Sequence, residues 1–411
     1  MATKILELEI SENISPIFFE EGYDHYRVLI RSHKQPLGWI AFSKKNHSGF
    51  GLSTNEIKDL VKKQTGNSLI QQVLLQSFNF KRSNDLSAEA ISIIVCTRNR
   101  TAQLAVCLQT LSALDYNNYE IIVVDNAPDN NDTYDLVANL PVRYVREDRQ
   151  GLDWARNRGI IEAKHNIVAF TDDDVRVDAY WLQAIAKTFS NKEVMGASGY
   201  VAPAELETWP QHVFELNYGG MGHGFKQRGF RKEILTQKQL LWASSFGIGA
   251  NMAFRKEVFA HIGPFDTALD VGTPSHGGGD IEMFHRLIAR GYLFVYNPSM
   301  LIWHHHRREE AALRKQIFDN GRSFGCYLID CFRKKTISRY SIVSFFLKDW
   351  LLKWNIKNLL GRFNGIPKKF SIVELYGMLT SPFAYWQTKK RDKRISKENN
   401  AASDLKTLVS N

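Results

Sequence analysis

Residues 168–174 read Val-Ala-Phe-Thr-Asp172-Asp173-Asp174, an apolar strand-like run that ends abruptly in three carboxylates. A buried strand cannot shelter three adjacent charges, so they must emerge at its end, in a mouth open to water or to a cation. Oxygen ligands held that close suit a hard divalent ion. A solvated acidic turn is the alternative, and the rest of the chain weighs against it.

Two more apolar runs stop in polar groups. Ile91-Ser-Ile-Ile-Val-Cys ends in Thr97-Arg98-Asn99-Arg100, and Glu120-Ile-Ile-Val-Val ends in Asp125-Asn126. A helical pattern with Leu104, Val106, Leu108, Leu111 and Leu114 separates them. Such alternation predicts a parallel sheet covered on both faces. Ligands of such sheets sit beyond the carboxyl ends of the strands, which puts Thr97, Asp125 and Asp172 on one rim.

Further segments complete an ordered set: Gly151-Leu-Asp-Trp-Ala-Arg-Asn-Arg-Gly159, Gly249-Ala-Asn-Met-Ala-Phe254 and Gly277-Gly-Gly-Asp-Ile-Glu-Met-Phe-His-Arg286. Taken together, residues 90–310 resemble a family 2 glycosyltransferase. The resemblance implies the GT-A fold, an α/β class with a Rossmann-like, mostly parallel sheet. A small N-terminal α+β domain (residues 1–88) would precede the catalytic domain (89–310). A helical, basic and aromatic region (311–388) and a mobile tail (389–411) would follow it.

The resemblance also implies roles. Asp125 would bind the donor's nucleobase, with Thr97 and Arg98 lining that pocket. Asp172 and Asp174 match the DXD motif that holds Mn2+ or Mg2+ against the diphosphate, and Asp173 would join the donor site. A divalent ion suits this chemistry because the leaving nucleoside diphosphate gains negative charge. Arg156 would lie near the donor phosphates; the alternative for it and for Arg158 is a surface helix charge. Asp280, opening an amphipathic helix, is an N-cap candidate on its own. By resemblance it is the base of an inverting transfer, where many relatives carry Glu-Asp and this chain has Gly279-Asp280. Glu282 is the runner-up base and, with Trp154 and Asn251, an acceptor-pocket candidate. His304, after Trp303, would complete the metal site, with His306 second. Trp154 and Trp242 are pocket-edge candidates for stacking on a sugar or base, although large aromatics are more often core.

Composition bounds the rest. The chain has 411 residues and four cysteines without CxxC spacing, a usage expected of a reduced cytosol. Its first residues carry acids where a secretion signal has an apolar core, and no apolar run reaches the roughly 18 residues of a spanning helix. From Cys331 onward 17 Lys and Arg face 5 Asp and Glu, whereas the preceding 330 residues carry 36 against 38. Those late lysines alternate with Phe345, Phe346, Trp350 and Trp354, a pattern that predicts an interfacial helix over residues 342–363 on an anionic membrane surface. The other reading packs that face on the catalytic domain, and nucleic acid is not expected as a partner.

In residues 1–88 two strand patterns, at 26–30 and 38–42, precede a capping box at Ser53-Thr-Asn-Glu56 and a helix to about Gln64. A second helix is expected over 68–78 and a linker over 81–89. The expected protein is cytoplasmic, with peripheral contact to the cytoplasmic face of a membrane. It would be an inverting, metal-dependent transferase moving a sugar from a nucleotide-sugar donor to a glycan or lipid-linked saccharide, as in cell-envelope polysaccharide synthesis. A metal-dependent phosphohydrolase and an inactive nucleotide-sugar-binding module are the competing classes.

Overall fold

A computed structural model describes residues 2–47, 49–65, 89–362 and 365–409. The expected helix over 68–78 and nearly all of the expected linker lie outside the described residues.

The N-terminal unit contains β1 (Thr3–Glu9), β2 (Ile17–Phe18), β3 (His25–Ser32), β4 (Gln35–Ser43) and β5 (Gly51–Leu52), then a helix over 54–65. β3 lies between β1, to which it is parallel, and β4, to which it is antiparallel. The capping box forms: the Ser53 amide donates to Glu56 Oε2 at 2.8 Å, and the Glu56 amide donates to Ser53 Oγ at 3.4 Å.

The central sheet is built from β6 (Ile91–Thr97), β7 (Tyr119–Asn126), β8 (Arg143–Glu147), β9 (Ile167–Asp172), β10 (Val175–Val177), β11 (Val194–Pro203), β12 (Arg228–Phe230), β13 (Asn251–Arg255) and β14 (Leu293–His304). Their order is β10-β14-β11-β13-β9-β6-β7-β8, with β12 also on β14. The block β9-β6-β7-β8 is parallel, and β13 runs against both of its neighbours. Along β6, Ile94 packs into one apolar cluster while Ile91, Ile93 and Val95 pack into another on the opposite face. That is why the strand is apolar at every position rather than alternating. In the Thr101–Ser112 helix, Leu104, Cys107, Leu108 and Leu111 are buried, whereas Val106 is exposed. β14 passes through Pro298, and the chain absorbs the lost amide where the pairing with β11 shifts register after Gly199.

Register sets the rim. Thr97 pairs with Asp125, and Cys96 pairs with Asp172, so the strand ends bearing the candidate side chains finish level with one another.

Buried polar contacts fasten the N-terminal unit to this sheet. Arg31 is bidentate to Asp178, at 2.5 and 3.1 Å. Trp39 Nε1 donates to the Tyr200 hydroxyl at 2.8 Å, and Arg27 donates to Glu215 at 2.9 Å.

The C-terminal region corrects two expectations. Phe345 and Trp350 are buried, and Trp354 Nε1 donates to Glu374 at 3.0 and 3.1 Å. Between Ile342 and Leu359 the chain therefore turns Trp350 and Trp354 inward, as in the packed reading, while Leu347 and Leu352 stay exposed. The helix Lys368–Val409 continues past the expected boundary at Lys389. Lys389 pairs with Asp266 at 3.0 Å, Asp392 accepts from Thr267, and Arg391 donates to the Gln150 carbonyl at 2.5 Å. The start of the expected mobile tail is docked.

The long helices Glu310–Lys334 and Lys368–Val409 pack closely. A Cβ on Gly321 would lie 2.1 Å from the Glu374 carbonyl, and one on Gly377 would lie 2.2 Å from that of Phe318. Trp350→Ala should cost about 3–5 kcal/mol by chemical denaturation, as a buried aromatic does. Burial raises Glu374 to about 7, against the pull of Tyr218 and Trp354. With the folded value above the unfolded one, its contribution is full below pH ~4.5 and is lost as pH rises through ~7. Glu374→Gln should flatten that loss, leaving the variant more stable at pH 8 by on the order of 1–3 kcal/mol, read from melting curves across pH.

Candidate functional site

A cavity of about 420 Å³ opens at the carboxyl ends of β6 and β9. Its lining includes Thr97, Arg98, Arg100, Asp172, Asp174 and His304. Asp173 and Arg307 also border it, as do Gln150–Leu152.

The acid row is held in place from several sides. Asp173 is buried, and its two oxygens accept from Thr97 Oγ1 at 2.8 Å and from Arg100 at 2.7 Å. Arg100 reaches Asp174 with its other nitrogen, at 2.8 Å. Burial, joined by repulsion from Asp174, raises Asp172 to about 7. Burial also pushes Asp174 upward, but His304 and Arg100 outweigh it and leave this carboxyl below its usual range.

His304 ends β14 facing Asp174, with Nε2 at 3.6 Å from Oδ1. Burial lowers its imidazolium to about 4, so the ring is neutral at physiological pH. Its Nδ1 lies 3.2 Å from His306 Nδ1, and His306 Nε2 lies 3.2 Å from Glu215 Oε2. Glu215 in turn accepts from Arg27 of the N-terminal unit. Because Glu215 can only accept, His306 donates to it and offers Nδ1 as acceptor to His304 Nδ1–H. That leaves the His304 Nε2 lone pair pointing at a carboxylate oxygen. Two acceptors face each other across a gap that a cation converts into a pair of ligands.

Among the described residues no group of three or more His, Cys, Asp or Glu side chains is gathered tightly enough to hold an ion alone. His304 faces Asp174 and Asp172 lines the same cavity, so an ion there would need further oxygens, such as those of a substrate phosphate. The donor set fits Mn2+ or Mg2+ on that condition.

Asp125 lies at the end of β7 and does not line the cavity. Its Oδ2 accepts from the Tyr144 hydroxyl at 3.0 Å, while the buried Oδ1 has no hydrogen-bond partner. Burial raises its pKa. Arg98 borders the cavity and donates to the Ala127 carbonyl at 3.3 Å.

Arg156 is buried behind the acids rather than facing the opening. It donates to Asp153 at 2.9 Å, with Asp172 and Asp280 within its field. Arg158 pairs with Glu162 at 2.7 Å on the same helix. Asp280 is the second residue of the Gly279–Ala289 helix. Its Oδ2 accepts from the Gly249 amide at 2.8 Å and its Oδ1 from its neighbour Ile281 at 2.9 Å. The left-handed Gly277 and Gly278, with φ of 137° and 105°, deliver the chain to that point.

Three acceptor candidates do not face the cavity. Asn251 is fully buried, accepting from Trp181 Nε1 at 2.9 Å and donating to the Tyr200 and Met300 carbonyls at 3.0 and 2.6 Å. Glu282 is buried between Arg286 at 2.9 Å and Lys334 at 3.3 Å. Trp154 lies under the Arg149 guanidinium, 4.0 Å from its ring centre. Trp242 stacks on Phe324 in the core.

Sequence reasoning missed Asp153, Asp270, Glu215 and Arg27. Asp153 and Asp270 are buried beside the glycines of the site: a Cβ on Gly279 would lie 1.8 Å from Asp153, and one on Gly151 would lie 2.2 Å from Asp270. Burial lifts Asp153 to about 7 and Asp270 well above the usual range. Asp153 stands inside the Gly151–Gly159 segment, where Trp154 and the arginines drew attention. Glu215 and Arg27 carry no motif, and only folding brings them to the histidines.

Residues 92–263 match the family model described as Glycosyl transferase family 2. The glucosyl-dolichyl phosphate glucuronosyltransferase of Haloferax volcanii is 23% identical over 186 residues, 43% of this chain and 56% of that protein. Glycosyltransferase AglE of the same organism is 24% identical over 236 residues, 55% of this chain and 70% of that protein. The hyaluronan synthase of Pasteurella multocida is 25% identical over 240 residues, 52% of this chain and 24% of that protein. The chain thus spans little more than half of the first of these and about a quarter of the last. The solved structure of the mannosyltransferase PcManGT from Pyrobaculum calidifontis, in complex with GDP-Man and Mn2+, superposes with a TM-score of 0.52 at 15% identity. It covers 75% of this chain and 94% of that one, a likeness of fold.

Asn251→Ala tests the reassignment of that residue. Two carbonyls and an indole N–H would lose a buried partner, so stability should fall by about 2–4 kcal/mol. Ligand affinity of the folded fraction, measured by calorimetry, should stay within about twofold.

Proposed function

We propose that this chain, whose residues 92–263 match the family model Glycosyl transferase family 2, is a metal-dependent, inverting transferase that moves a sugar from a nucleotide-sugar donor to a glycan or lipid-linked saccharide. One observation carries the reading: Asp172, Asp174 and a neutral His304 converge on one cavity whose rim also presents Thr97 and Arg98. Envelope polysaccharide synthesis is the setting we propose for it.

In this reading the diphosphate lies against the acid row, and Arg98 and Arg307 supply positive charge at the cavity edge. Asp125 keeps the nucleobase role that the resemblance gives it, although its unpartnered Oδ1 lies buried outside the cavity lining. Mn2+ or Mg2+ held by Asp172, Asp174 and His304 would stabilise charge on the departing diphosphate. Arg100 fixes Asp174 and Asp173, and Arg156 offsets the field of Asp172 and Asp280 from behind.

Asp280 takes the proton of the acceptor hydroxyl as that oxygen attacks the anomeric carbon. Its two backbone hydrogen bonds orient the carboxylate and leave each oxygen a further lone pair. Glu282, held by Arg286 and Lys334, is not placed for this step. One base and no second positioned nucleophile correspond to inversion.

Incubation with a panel of nucleotide sugars tests the assignment: sugar transfer supports it, while phosphate release or binding alone would replace it. Asp174→Asn and excess chelator should each lower turnover by ~10² or more, and Mn2+ or Mg2+ should restore the chelated enzyme. Full activity in excess chelator would remove the metal from the mechanism. Asp280→Asn should bind donor normally yet lose ~10² in turnover. Glu215→Gln, which lets the side chain offer a donor toward His306, should weaken Mn2+ binding by ~10-fold or more, read by titration of free Mn2+ by electron paramagnetic resonance. Unchanged binding would confine Glu215 to a structural role.

A further inference from the structure

The last helix has a buried, largely polar face and an exposed apolar one. Ser371, Glu374, Met378, Ser381, Tyr385 and Thr388 are buried, on the side from which Ser381, Tyr385 and the close approach at Gly377 meet the Glu310–Lys334 helix. On the other side Ile372, Tyr376, Leu379, Phe383 and Trp386 recur at steps of four and three residues. They make one continuous stripe, and its central members Leu379, Phe383 and Trp386 are 66, 63 and 57% exposed. Beside it a cavity of about 300 Å³ opens between the helices, walled by Leu328, Phe332, Val343, Phe346, Met378 and Pro382. Ser381 is the one polar side chain in its wall. A cavity so lined stays dry and takes apolar matter.

Charge says what covers this surface. Lys368 and Lys369 precede the stripe, Lys369 paired with Glu310; Lys389, Lys390, Arg391, Lys393 and Arg394 follow it around Asp392, with Lys389 held by Asp266; no acid stands between Leu375 and Arg391. Lys390 Nζ sits 5.4 Å over the Trp386 ring, its stem along the apolar face. A second copy of the stripe would set basic ends against basic ends in either orientation, so self-pairing is opposed. Aromatic side chains between basic ends match instead a bilayer interface with anionic headgroups.

We propose that this stripe lies on an anionic membrane and that the cavity admits one lipid acyl chain. The stripe lies outside residues 342–363, although Val343 and Phe346 of that stretch wall the cavity. It is independent of the transfer chemistry, and it sits beside the candidate site: Arg391, about 7.5 Å along the helix from Trp386, donates to the carbonyl of Gln150 at the cavity rim. No described helix is long and apolar enough to cross a bilayer.

The full chain should sediment with phosphatidylcholine vesicles containing phosphatidylglycerol, less with phosphatidylcholine alone, and less as salt rises. The exposed triple change Leu379→Gln, Phe383→Gln and Trp386→Gln should lower the partition coefficient by ~10-fold or more at every salt concentration, with an unchanged melting temperature. Cis-parinaric acid, a fluorescent acyl chain, should bind in the absence of vesicles and be lost in Val343→Trp, which blocks the cavity mouth. No sedimentation with anionic vesicles, a triple variant that partitions like the parent, or a dimer by light scattering that the triple change dissolves would each overturn the membrane seat. Equal cis-parinaric binding by Val343→Trp would overturn the acyl site.

Discussion

Three consecutive carboxylates at the end of a desolvated strand set the terms for everything around them. Left alone, Asp172, Asp173 and Asp174 would repel one another by several kcal/mol at the low effective dielectric of a half-closed cavity. The surroundings answer from different directions. Arg100 bridges two of the acids, Thr97 takes an oxygen of the middle one, and Arg156 supplies charge from beneath. The balance is incomplete at Asp172, whose carboxyl stays raised. A site that retains uncompensated negative potential attracts a cation, and the neutral His304 adds a ligand without adding to the charge.

The support extends outward by one further layer. A histidine ring with two acceptors near it is fixed by whatever takes its other proton, and here that is a second histidine backed by a carboxylate. The carboxylate is itself held by a guanidinium from the N-terminal unit. The small unit is thus joined electrostatically to the rim, which gives its presence a physical reason beyond covering the sheet. Breaking the chain at any point would leave a buried group unpaired.

Much of this was legible in the chain and some was not. The apolar runs ending in Thr97, Asp125 and Asp172 declared a doubly covered parallel sheet, because such strands need no polar face. β8 escaped notice since Arg143-Tyr-Val-Arg-Glu147 lies at the sheet edge and carries an edge strand's charges. Asn251 sits in a segment matching the family pattern, but its amide is spent on two carbonyls and an indole, a use that only the crossing of β11, β13 and β14 reveals. The tryptophans at 350 and 354 read as membrane-facing by composition. Amphipathicity does not say which of two apolar environments a face will meet, and Glu374 decided it by offering Trp354 a buried acceptor.

The bidentate Arg31–Asp178 pair and the Arg27–Glu215 pair join residues 147 and 188 positions apart. On a ribosome the N-terminal strands emerge long before either acid exists. At ordinary elongation rates of about 5–20 residues per second the intervals run from roughly 7 to roughly 38 s. Throughout them, two guanidiniums that are later enclosed stand in water on β3, where they are well solvated and keep that face of the waiting sheet from associating with other apolar surfaces. The same charges that later clamp the two parts together therefore serve as gatekeepers during synthesis, and an apolar replacement that looked harmless in the finished molecule would lower the yield of soluble chain.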